Sequence, residues 1–249
     1  MRFRFSDLLL FVLLFIFVAA FPVDLIPVRL FFQILIKIGL RLLLLAYYIY
    51  IIIRNRMKVF GIANIINVLL CIPFVLISFS NITASLIDGG FIGVIEETDV
   101  FIANVILTLL IAISEEIVFR LFIHNSLYNT SSIKRIFASA GIFALMHLLN
   151  IVNVRYLDTL ITVLLQTVYT FGLGLLLGVL YEYGHSLIAA IVLHFCFNFF
   201  NENLYEYLGG YCSNMSFYLT AIGYTIVVGT YAVLITMFYF RKYNIYYRS

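Results

Sequence analysis

The chain reads as an all-α polytopic membrane protein of about eight transmembrane helices with a polar cavity between them. Three observations predict this. Hydrophobic residues make up 64% of the 249 and charged residues only 11%, against about 45–50% apolar and about 25% charged in soluble domains. Apolar runs near the ~20 residues that cross a bilayer recur along the whole length. Inside those runs a few ionisable residues stand alone, although each costs at least roughly 2.5–3.5 kcal/mol at a helix centre. No internal repeat or linker divides the chain, so residues 1–249 are read as a single transmembrane domain. The three cysteines, Cys71, Cys196 and Cys212, are far apart and imply neither a disulfide framework nor a thiolate metal site. Net charge is only +3, and no nucleic-acid partner is expected.

The first span is residues 5–21, closed by Pro22. Arg2 and Arg4 ahead of an apolar run ending in Ala19 and Ala20 also resemble a secretory signal peptide, but the charge pattern below needs this helix to stay. The second span, 30–53, carries Lys37 and Arg41 one turn apart on one face. Its early part is therefore expected either to lie at the interface or to snorkel its long side chains to water. The third is 62–79, kinked at Pro73. Residues 80–99 read as a polar connection holding Gly89, Gly90, Glu96 and Glu97. The fourth span is 100–123 and the fifth 136–152. In the sixth, 157–181, Gly174 and Gly178 form a GxxxG suited to close helix packing. The seventh is 186–200 and the eighth 217–240.

Charge agrees with an even span number. Alternate connections carry the basic residues: Arg2 and Arg4; Arg54, Arg56 and Lys58; Lys134 and Arg135; Arg241, Lys242 and Arg248. The intervening set holds most of the acidic ones, among them Asp88, Glu97, Asp99, Asp158, Glu202 and Glu206, together with Arg29 and Arg155. Under the positive-inside rule both termini face the cytoplasm.

Three polar groups interrupt the apolar runs. The fourth span contains Glu115, Glu116 and Arg120. Glu116 and Arg120 are i and i+4, acid first, and can neutralise each other and fix the helix. Glu115 lies about 100° further round and has no cation on its own helix. The fifth span ends its motif with Phe143 and His147; the seventh places His194 and Asn198 on one face. At ~1.5 Å rise per residue, Glu115, His147 and His194 fall roughly 12–16 Å from the cytoplasmic ends of their spans. They can meet in one cavity. His124 continues the Glu116 face but is expected at the solvated cytoplasmic end, and His185 at an interface.

A carboxylate and an imidazole around one water can deprotonate it for attack on a carbonyl. A second imidazole and a carboxamide can donate to the developing oxyanion. Glu115 and His147 suit the first role, His194 and Asn198 the second. Each of these residues also has a bland reading, as an interhelical hydrogen bond. No HExxH is present, nor a GxSG or GxGD of intramembrane serine or aspartyl sites.

EExxxR, FxxxH and HxxxN, in this order on three apolar spans, resemble the CPBP family of intramembrane glutamic endopeptidases. That family includes type II CAAX prenyl endopeptidases and bacterial bacteriocin-processing or immunity proteins. The resemblance covers about residues 100–200, which it marks as the catalytic core. It implies an eight-helix endopeptidase in which Glu115 and His147 activate water, His194 and Asn198 line the oxyanion site, and Glu116, Arg120 and Phe143 support them. No cofactor is expected, with a divalent metal such as zinc on Glu115, His147 and His194 as the minority reading. The expected partners are the lipid bilayer and a membrane-associated peptide or protein substrate, and the expected location is a bacterial cytoplasmic membrane. Two rival functions use the same residues: a non-catalytic regulator or bacteriocin immunity protein, and a cation-coupled transporter. The transporter has less support, because the ionisable groups gather at one depth and no inverted repeat is visible.

Overall fold

The computed structural model describes residues 5–57, 59, 69, 72–91, 93–94, 97–153, 157–210 and 213–246. Most of residues 62–71 in the expected third span lie outside these, as do Arg2, Arg4, Lys58, Cys71, Glu96, Arg155, Cys212 and Arg248. The described helices are α1 (Phe5–Ala20), α2 (Leu30–Arg54), α3 (Ile72–Ile77), α4 (Ser80–Ile87), α5 (Thr98–Glu116), α6 (Ser132–His147), α7 (Leu157–Gly184), α8 (Leu187–Asn198), α9 (Leu204–Tyr207) and α10 (Asn214–Tyr246). Among the described residues the only β pairing is a single bridge, Phe91 to Gly210. A chain this apolar satisfies its backbone groups within helices, as lipid demands.

Among the described residues, six helical segments are long and apolar enough to cross a membrane. The described part of α1 is 16 residues, roughly 24 Å at the helical rise. The connection expected over 80–99 is not wholly irregular, because α4 occupies its first part. Asp88 then fastens α4 to the start of α10. Its carboxylate accepts from the Ser213 backbone N–H at 2.7 Å and from the Ser216 hydroxyl at 2.7 Å. These donors hold the Asp88 carboxyl below the usual carboxylate range, the Ser213 bond contributing most.

α7 packs against α6, α8 and α10, and α5 against α2 and α8. The α6–α7 contact uses the GxxxG as expected. A Cβ on Gly174 would stand 3.0 Å from Ala140 Cα, and one on Gly178 would stand 3.1 Å from Ile136 Cγ2. The backbones therefore meet where only glycine fits, which fixes the position of Phe143 and, a turn on, His147. On the other side, aromatic rings fill the space between α1, α2 and the end of α5. Phe11 lies 4.4 Å from Phe122, and Phe119 lies 4.9 Å from Phe143.

Candidate active site

The helix of the EExxxR motif does not continue as a regular α-helix. From Ile117 to His124 it is π-helical, and all eight of these residues are buried. A π segment widens the turn and is common where side chains are re-aimed at functional sites. The helix of the HxxxN motif does the same just past Asn198, with a π turn at Phe199–Asn203 leading into α9.

Glu116 and Arg120 are both fully out of water, with Nε 3.1 Å from Oε2. Arg120 also donates to Ser139 Oγ at 2.9 Å and lies 5.2 Å from the Phe143 ring centroid. The expected ion pair is present, and it does more than neutralise charge. Glu116 Oε1 accepts a 2.9 Å hydrogen bond from His194 Nδ1. A carboxylate only accepts, so Nδ1 carries the proton and Nε2 is the nitrogen left to act. That Nε2 lies 3.7 Å from Glu115 Oε2.

His147 is set by similar logic. Its Nδ1 lies 3.0 Å from the Phe143 carbonyl oxygen. A carbonyl also only accepts, so Nδ1 bears hydrogen and the neutral ring presents the Nε2 lone pair. The Phe143 ring meets both imidazoles nearly edge-on, with centroids 5.1 Å from His147 and 5.6 Å from His194.

Glu115, Phe143, His147, His194 and Asn198 all line one cavity of about 340 Å³. Glu116 and Arg120 do not line it and stand behind His194. Glu115, His147 and His194 border the same space. Among the described residues, however, no three His, Cys, Asp or Glu side chains gather as a metal-ligand set, and His194 commits Nδ1 to Glu116.

Three sequence expectations are corrected here. Arg41 does not snorkel to an interface. It is 7% exposed, donates to Ser114 Oγ at 3.0 Å and lines the cavity beside Glu115. The Phe15 ring, 5.3 Å away, covers its guanidinium. Its place near the middle of α2 was the available signal, since a side chain there cannot reach either membrane face. His124 is not solvated. It is buried, and its Nε2 lies 2.6 Å from Glu182 Oε2, which Arg135 also binds. The π segment and α7 enclose what reads as an exposed helix end. Glu202 is not in a connection. The seventh span continues to Tyr207, and Glu202 lines the cavity. The spacing 194, 198, 202 was legible as one helical face.

A family model described as "Type II CAAX prenyl endopeptidase Rce1-like" matches residues 97–200. The matched segment contains every motif residue and runs from the start of α5 into the π turn after α8. No curated protein and no solved structure matches the chain.

Proposed function

We propose that this chain, whose residues 97–200 match the type II CAAX prenyl endopeptidase Rce1-like family model, is an intramembrane endopeptidase. It hydrolyses a peptide bond of a membrane-associated protein or peptide precursor near the cytoplasmic face, with both termini cytoplasmic. The observation that carries this reading is the convergence of Glu115, His147, His194 and Asn198, from three helices, on one cavity.

Water held by Glu115 and His147 gives up a proton as its oxygen attacks the scissile carbonyl carbon. His147 Nε2 is the acceptor its tautomer leaves open. The carbonyl π electrons move to oxygen, and that oxyanion receives hydrogen bonds from the Asn198 carboxamide and from Nε2–H of His194, which in this role is the imidazolium, protonated on both nitrogens between Glu116 and Glu115. Collapse reforms the carbonyl and breaks the C–N bond, while the proton taken from water passes to the departing amine. Glu116 holds the His194 ring in register, and Arg120 balances Glu116. This chemistry requires no covalent nucleophile and is drawn from this chain's own residues.

Comparative peptidomics of cells carrying wild-type or Glu115→Ala protein tests the reading. A precursor that accumulates in the variant at normal protein abundance identifies activity and substrate together. Processing at the wild-type rate in Glu115→Ala cells refutes the mechanism. General-base loss is expected to lower the rate by roughly 10²–10⁴-fold.

A further inference from the structure

A second cavity, of about 190 Å³, adjoins the first across a shared wall. Gln166, Tyr169, Phe197 and Glu202 line both. Glu202 is the chemically unusual member. It sits one turn past Asn198 on the motif face, exposed, and its carboxylate accepts no hydrogen bond among the described residues. The next ionisable residue along its helix, Glu206, is another acid, and His194, two turns back, already donates to Glu116. Asn201 also lines the second cavity, and its Oδ1 is buried with no donor. Two acceptors without donors therefore border one space. Leaving the buried Asn201 oxygen unpaired costs free energy that a donor restores, while Glu202 presents an exposed carboxylate beside it. A carboxylate beside a carboxamide oxygen suits a cationic group with several N–H donors, which among side chains means lysine or arginine.

We propose that the second cavity is a specificity subsite for a basic side chain of the substrate. Glu202 is its counter-charge and Asn201 a further acceptor. This rests on the endopeptidase reading and names the substrate class it takes. An extended peptide advances ~3.3–3.6 Å per residue, so cavities that share a wall receive residues close together in sequence. The basic residue falls within a few positions of the scissile bond.

The test uses the full chain purified in detergent, with Cys71, Cys196 and Cys212 replaced by serine and Ala221, which lines the second cavity, changed to cysteine. Its labelling rate by cationic 2-aminoethyl methanethiosulfonate is compared with that by the anionic sulfonatoethyl reagent, each normalised to a free thiol in solution. We expect the normalised cationic preference to be tenfold or more, to persist in Glu202→Asp and to collapse in Glu202→Gln. A preference near one, no reaction with either reagent, or a preference unchanged by Glu202→Gln overturns the subsite. This readout needs no cleavage, so it stands apart from the endopeptidase reading, which fails separately if no precursor accumulates in Glu115→Ala cells. Where precursors do accumulate, their cleavage sites carry lysine or arginine at a fixed nearby position. Sites without one also overturn the proposal and assign the cavity to free cations.

Discussion

Glu116 and Arg120 form a pair whose coupling can be measured. Both side chains are at 0% exposure, with 3.1 Å between Nε and Oε2. Removing one partner of such a pair leaves an uncompensated buried charge, at a cost of about 3–5 kcal/mol. Glu116→Gln keeps the shape and an oxygen able to accept from His194 Nδ1, so its cost is almost wholly the stranded Arg120. Arg120→Met costs less, because His194 still stands 2.9 Å from Glu116 Oε1 and can serve as the counter-ion. The double variant Glu116→Gln/Arg120→Met removes both charges, and replacing a whole buried pair is often neutral. The singles should therefore add to far more than the double, with a coupling of about 2–3 kcal/mol. Unfolding in mixed micelles of rising SDS fraction, followed by circular dichroism, measures each stability. Additive effects within about 0.5 kcal/mol would mean that Arg120 finds its compensation elsewhere, in Ser139 and the Phe143 ring, and the account of the pair fails. Against a total stability of about 5–15 kcal/mol, the Glu116→Gln single is expected to cut protein abundance visibly.

Other outcomes follow from single contacts. Arg41→Ala loses the bond to Ser114 Oγ at 3.0 Å, worth about 1.5–3 kcal/mol for a charged donor; Arg41→Lys should recover part of it, and a wild-type unfolding midpoint for Arg41→Ala contradicts the buried placement. Gly174→Ala puts a Cβ 3.0 Å from the Ala140 backbone and should cost about 1–3 kcal/mol by overpacking. Gly39→Ala, with nothing within 4 Å, is the matched control and should be neutral or slightly stabilising in the same assay. The Asp88 carboxyl is held below its ordinary value by Ser213 and Ser216. Its contribution is thus fully present above the unfolded value of about 3.9 and is lost as pH falls through the lower folded value. Hydrogen exchange around residues 88–94 and 213–216 should rise at that acidic end in the wild type. In Asp88→Asn it should be raised already at neutral pH; an acid-induced rise of equal size in the variant assigns the effect to another group.

The membrane class and most spans were legible because lipid selects on local apolarity, which a linear sequence displays directly. The EExxxR, FxxxH and HxxxN residues were legible for the converse reason, since an ionisable group in an apolar run is costly enough to announce itself. The misreadings share one cause. Arg41, His124 and Glu202 were placed by their distance along the chain from a span end, as though each helix faced its membrane alone. Their surroundings are set by neighbours remote in sequence: Ser114 and Phe15 for Arg41, Glu182 for His124, and the walls from α7 and α10 for the cavities beside Glu202. The partner that compensates a buried charge depends on how helices rotate and approach. Here that follows from the glycine contact of α7 on α6 and from the π turns that re-aim the ends of two motif helices. The sequence by itself determined a polytopic helical membrane protein and the identity of its motif residues, through local hydrophobicity and spacing. Only the tertiary structure decided that Glu116 serves His194 as well as Arg120, and that Arg41 and Glu202 border the same cavity as Glu115.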